Sequence, residues 1–143
     1  MRTPISPQPE ADGTYRPSTL AMKLSTQKKT DYDGHVYDDA YEGDMKILMI
    51  CTEEKAMTMA NGKRFSTGNH PVEMLVPMLH LRNAGFDIEI ATPTGAPVQV
   101  EMWAMPQEDE AVMGLYNEVK HQLDNPMALT DFVETSMNDT SPY

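Results

Sequence analysis

"FSTGNHPVEMLVPMLHLRNAGFDIEIATP", residues 65–93, decides how this chain folds. It reads as a loop, a helix and a strand. Pro71 suits the first helical position, where its missing N–H costs nothing. His70 is then the N-cap, and Glu73 is the third residue of the first turn. Val72, Leu75, Val76 and Leu79 fall on one face, and Met74, Met78 and Leu81 widen it. The spacing predicts a largely buried helix closed by Arg82 and Asn83, with Gly85 as its stop. "FDIEIA" (86–91) alternates apolar and acidic residues and predicts the next strand.

Upstream, "KILMIC" (46–51) is a short continuous apolar run, expected as a strand buried on both faces of a parallel sheet. Strand, helix and strand predict a right-handed βαβ unit. Between them, "TEEKAMTMANGKRFSTGN" (52–69) reads as a polar loop with a turn at Asn61 and Gly62. Downstream, "TPTGAP" (92–97) is a turn and "VQVEMW" (98–103) a short strand. "QEDEAVMGLYNEVKHQL" (107–123) is a second amphipathic helix, with Val112, Leu115, Tyr116, Val119 and Leu123 as its stripe. Glu108, Asp109 and Glu110 in its first turn suit the positive end of the helix dipole. Asn125 and Pro126 cap a third helix, with Leu129, Phe132, Val133 and Met137 inward. No internal repeat is visible.

Residues 1–44 carry Pro4, Pro7, Pro9 and Pro17, then the acidic stretch "DYDGHVYDDAYEGD" (31–44). They read as an extended or partly disordered arm, with turns at Asp33–Gly34 and Gly43. Residues 45–143 are expected to form the N-terminal portion of an α/β domain. Two strands and a weaker third make a small sheet for so much helical apolar surface.

Composition narrows the function. The 143 residues hold 22 Asp plus Glu against 11 Lys plus Arg, for a net charge of −11. That charge repels phosphate, so neither nucleic acid nor an anionic membrane is expected as a partner. No apolar run approaches the ~20 residues a membrane span needs. The N-terminus lacks the apolar core of a secretory signal, and the single cysteine leaves no intramolecular disulfide. The expected location is cytoplasmic. Thirteen methionines are read as flexible core filler, or as an exposed surface for unfolded clients.

Glu73 has two readings. A Glu at the third helical position can reach back to the N-cap N–H. Alternatively, a carboxylate at a helix N-terminus beside the carboxyl ends of parallel strands stands where ligands bind, ready to exchange a proton.

Four stretches carry a resemblance: "TDYDG" (30–34), "KILMI" (46–50), "NGKRFSTGNHPVEMLVPMLHLRNAGFDIEIAT" (61–92) and "WAMPQEDEAVM" (103–113). In this order and spacing the chain resembles the HchA-type heat-shock chaperones, also described as glutathione-independent glyoxalase III, of the PfpI-like superfamily. The resemblance covers residues 16–143. It implies a flavodoxin-like parallel-sheet sandwich, of which this chain would be the N-terminal half. In that family the glutamate of "GNHPVE" sits against a cysteine nucleophile, a role that falls here on Glu73. Gly68, Asn69 and His70 would shape the pocket rim.

The departures are specific. The only cysteine, Cys51, ends the first strand, which is ordinary core in the family. The family's Cys-His turn and its "PGGHG" loop are not found here. Its metal site of two histidines and a carboxylate falls on Arg82, Asp87 and Val119, with His80 and His121 only nearby, so neither a metal nor a cofactor is implied.

Three readings follow. The first is half of a lyase that converts methylglyoxal to D-lactate without glutathione, short of its thiol nucleophile. The second is a holding protein for unfolded clients, for which the family offers a homodimer. The third is a truncated fragment without function.

Overall fold

The computed structural model describes residues 4–136 and 141–143. Along the chain run β1 (Gln8–Pro9), β2 (Tyr15–Arg16), α1 (Thr19–Ser25), β3 (Lys46–Ile50), β4 (Ala56–Thr58), β5 (Arg64–Ser66), α2 (Pro71–Asn83) and β6 (Asp87–Thr92). A 3-10 turn (Met102–Ala104), α3 (Glu110–Asp124), β7 (Met127–Ala128) and α4 (Leu129–Ser136) follow. The architecture is α/β, built on a parallel sheet, as a portion of a flavodoxin-like sandwich.

The βαβ unit forms as its apolar pattern demands. β3 and β6 pair in parallel from Lys46 with Asp87 to Ile50 with Ala91, and α2 is the connection between them. Met74, Leu75 and Met78 of α2 are buried, as are Val112, Leu115, Val119 and Leu123 of α3. They share one core with Cys51 and Ile90, and Met49 and Ile88 pack against it. Complete burial of side chains such as Leu75 and Val112 stabilises by about 1.5–3 kcal/mol each.

Gly85 ends α2 in a left-handed conformation (φ +91°). Its N–H donates to the Arg82 carbonyl at 2.9 Å, and the Phe86 N–H reaches back to Leu81 at 3.1 Å. This is the double bond of a Schellman cap. Pro77 lies inside the helix and has no N–H for the Glu73 carbonyl four residues before it.

Tertiary pairing overrides several local expectations. Residues 98–103 do not form a strand: only Val100 makes a bridge, with Asn69, and the chain then turns. The third strand is β7, whose residues are expected at the start of the third helix, and it pairs in parallel with the end of β6. α4 starts after it, with Phe132 half-buried and Val133 48% exposed, so Val133 does not face inward. Met137 lies outside the described residues.

β3 is not buried on both faces. Its residues are half-buried and Ile50 is 59% exposed, because β3 is the outer strand in the order β3-β6-β7. The loop 52–69 contains a hairpin, β4 with β5, turning at Asn61–Gly62 as expected. α3 begins at Glu110, and Asp109 is its N-cap, accepting from the Val112 N–H at 3.0 Å.

Residues 4–44 lie against this body. β1 and β2 form a small hairpin that joins β5 and β4 in a second sheet. Tyr41 stacks on Phe86 with ring centroids 4.6 Å apart, and its N–H donates to the Ala84 carbonyl at 2.7 Å. Thr30 donates to Asp109 from both its N–H and its hydroxyl.

Candidate functional site

The carboxyl end of β3 and the N-terminus of α2 enclose a cavity of about 330 Å³. Met49, Ile50 and Cys51 line it from the strand, and Gly68, Asn69, His70, Glu73 and Met74 from the loop and helix. All four residues assigned to the site from the sequence meet here. Glu73 is exposed and makes no side-chain hydrogen bond among the described residues, so the capping bond that a Glu at this position can make is not formed.

Asn69 is anchored more deeply than a rim residue. Its Nδ2 donates to the carbonyls of Thr52 (3.0 Å) and Gln99 (2.7 Å), and its Oδ1 accepts from the Thr52 N–H (3.1 Å). Its backbone N–H donates to the Gln99 carbonyl at 2.7 Å, and its carbonyl accepts from the Glu101 N–H at 3.0 Å. The side-chain amide is therefore spent on holding the loop. Gly68 is needed because that loop crosses residues 99–100 closely: a Cβ on it would lie 2.8 Å from the Gln99 carbonyl oxygen.

His70 packs edge-on against Trp103, with ring centroids 6.5 Å apart. Its Nδ1 and the Trp103 Nε1 are buried without a hydrogen-bond partner among the described residues. Cys51 is 4% exposed, with its Sγ 3.9 Å from the Met74 sulfur. Burial pushes its thiol up to about 11, which leaves almost no thiolate at neutral pH. Cys51 is core, as its place in the strand implied, although it also lines the cavity.

Glu101 is a carboxylate beside the site loop that the sequence does not single out. Its segment read as a strand, and nothing in local sequence announces a carboxylate that depends on a distant loop. It is half-buried and accepts from the Thr67 hydroxyl at 3.3 Å. Burial holds its carboxyl above the ordinary range, a charge on His70 and the Thr67 bond draw it back, and the charge of Glu73 adds to the rise.

The positions matched to the family's metal site surround a different cleft, of about 270 Å³, lined by Arg82, Asp87 and Val119 among others. They do not fit a metal. Val119 offers no donor, and the Arg82 guanidinium is paired with Glu118 at 2.6 Å. His80 is held elsewhere, its Nδ1 3.1 Å from the Tyr37 hydroxyl. Among the described residues no group of three or more His, Cys, Asp and Glu is arranged to hold an ion. No helix there is long and apolar enough to cross a membrane.

No family model matches the chain. Whole-sequence comparison does find relatives. The protein/nucleic acid deglycase HchA of Pseudomonas aeruginosa (strain LESB58) is 48% identical over 142 residues, which is 99% of this chain and 48% of that protein. HchA of Staphylococcus aureus (strain JH9), of the same description, is 46% identical over 139 residues, 96% of this chain and 48% of that protein. The chain thus spans about half the length of the curated relatives it matches. With that identity held along nearly all of its residues, this chain is of the HchA type, matched to one half of such a protein.

Proposed function

We propose that this chain supplies the proton-moving half of a glyoxalase III or deglycase site. The substrate is an α-oxoaldehyde such as methylglyoxal, or the same carbonyl carried on a protein or nucleic acid, as the relatives' description suggests. A thiolate adds to the aldehyde carbon and gives a hemithioacetal. Glu73 takes the proton from that carbon and returns it to the neighbouring one. The oxidation of one carbon balances the reduction of the other, and water releases D-lactate and the thiol. The net charge of −11 makes nucleic acid the harder of the two macromolecular substrates to approach.

The observation that carries this reading is the position of Glu73. It lines the cavity at the carboxyl end of β3, and its carboxylate is free of the capping bond. The thiol is assigned to polypeptide outside these 143 residues, because Cys51 is buried and protonated. A cytoplasmic place and a homodimer belong to the same proposal.

The test has two parts. The intact mass of the native protein from its source cells is measured first; a mass well above 16 kDa supports a longer protein that carries the thiol. Methylglyoxal loss is then followed with this chain alone and with the downstream half of the Pseudomonas relative added. Loss only in the mixture supports the reading. Loss with the chain alone overturns the assignment of the thiol.

A second reading is favoured by a different observation. Met45, Ile50, Met57, Met59 and Met102 are each 43–59% exposed, and exposed flexible apolar side chains suit the holding of unfolding clients. Suppression of aggregation of a heated client by this chain alone supports it. Neither activity, together with a non-cooperative melt, leaves the fragment reading.

A further inference from the structure

The loop from Thr67 to His70 and the turn from Gln99 to Trp103 form one unit, although about thirty residues separate them in the chain. Asn69 and Val100 form a parallel bridge, and backbone bonds tie Asn69 to both Gln99 and Glu101. The Thr67 hydroxyl donates to the Glu101 carboxylate, and Trp103 sets its ring against His70. Glu101 is thereby held beside the same loop that leads into Glu73.

We propose that Glu101 is a second carboxylate of this site, a positioning residue that is latched to the site loop through Thr67 and governs the charge around His70 and Glu73. The proposal rests on the reading of Glu73 as the group that moves the proton. Two carboxylates beside one loop influence each other's ionisation, and the one further from water keeps its proton to a higher pH. Glu101 is the more enclosed of the two, since Glu73 is exposed and Glu101 half-buried. When Glu101 ionises, the loop that leads into Glu73 gains a negative charge. The Thr67 hydroxyl bonds Glu101, and the charges that act on it are those of His70, at the N-cap of α2, and Glu73.

The test is a carbon-detected NMR titration of the Glu101 side chain in the full 143-residue chain, with three variants. Glu73→Gln removes a like charge, so the Glu101 midpoint falls. His70→Gln removes an attracting charge and Thr67→Val removes a hydrogen bond, so each raises it. A midpoint that ignores Glu73→Gln overturns the proposal. Thr67→Val carries the second arm if His70→Gln does not fold.

This readout needs no turnover, so it stands apart from the methylglyoxal assay. Where the chain is complemented by the downstream half, Glu101→Gln is expected to shift the pH profile of kcat. A profile that stays in place rejects the positioning role even if Glu73→Gln is inactive. Loss of the Glu73 effect with the coupling intact would overturn the functional reading instead.

Discussion

Asn69 and Thr52 hold each other through both of their polar edges. The Thr52 N–H donates to the Asn69 Oδ1 at 3.1 Å, and the Asn69 Nδ2 donates back to the Thr52 carbonyl at 3.0 Å. The side-chain amide acts as one residue of a strand partner, just past the end of β3. Asn69→Ala removes these bonds and the one from Nδ2 to Gln99 at 2.7 Å, but the Thr52 carbonyl keeps the Gln99 N–H and the Gln99 carbonyl keeps the N–H of residue 69, so the Thr52 N–H is the group that loses its partner. For one such group the expected loss is about 1–3 kcal/mol in urea unfolding. A loss under about 1 kcal/mol would show that water takes over these bonds.

Glu73→Gln keeps the shape of the first turn of α2 and removes its proton acceptor. In the chain complemented by the downstream half, kcat for methylglyoxal is expected to fall about 10²–10⁴-fold, the usual contribution of a positioned base. Binding, read as KM, is expected to change little. Full activity in this variant would sink the proposed role.

Cys51 should be slow toward alkylating reagents. With its thiol pushed up to about 11, the folded chain carries on the order of a hundredfold less thiolate at pH 8 than a free cysteine. Unfolding by urea should restore the ordinary rate. The linkage has a definite sign: the raised value means the unfolded state sheds this proton first. Stability from Cys51 is present below the ordinary thiol range and is lost as pH rises toward about 11. Rapid labelling of the native chain would contradict the buried placement.

Asp109 joins residues 4–44 to the body. Burial works against its charge, but hydrogen bonds from Thr30, Val112 and Ala111 outweigh this and hold the carboxyl below its ordinary value. Its contribution is therefore full above pH ~4 and declines as acid protonates it. Asp109→Ala is expected to cost about 0.5–2 kcal/mol as a lost N-cap. Thr30→Val should weaken the same site from the other side. Acid titration of the melting curve checks both: the difference between wild type and Asp109→Ala should shrink at low pH.

Gly85→Ala tests the seam at the end of α2. The left-handed backbone alone costs about 1–2 kcal/mol with an L side chain. The new Cβ would also clash with the Tyr41 carbonyl oxygen, so the segment carrying Tyr41 must move. Faster proteolysis near Tyr41 is the expected sign, beyond the loss of stability. Unchanged proteolysis would mean that the contact is not maintained in solution.

The parts that were legible in the sequence are those whose causes are local. α2 follows from Pro71, its apolar spacing and Gly85, and its ends were read correctly because capping is settled within a few residues. β3 follows from a short apolar run, β6 from its alternation of apolar and acidic residues, and the Asn61–Gly62 turn from its dipeptide. The place of Glu73 at the helix N-terminus follows from the same local logic, while its role as the acid–base group rests on the family resemblance.

What only the tertiary structure decided is where distant segments satisfy their backbone. Residues 98–103 carry strand-like residue types, yet Gln99 and Glu101 bond to Asn69 and so are tied to the loop that lines the cavity. Met127 and Ala128 show no strand signal of their own, and they become one by pairing with the end of β6. Glu101 gains its place, and its contact with Thr67, from the same long-range meeting. Periodicity reports which face of a segment is apolar. It carries no information on which remote carbonyl will accept a given N–H, and in this chain those remote bonds build the pocket around Glu73.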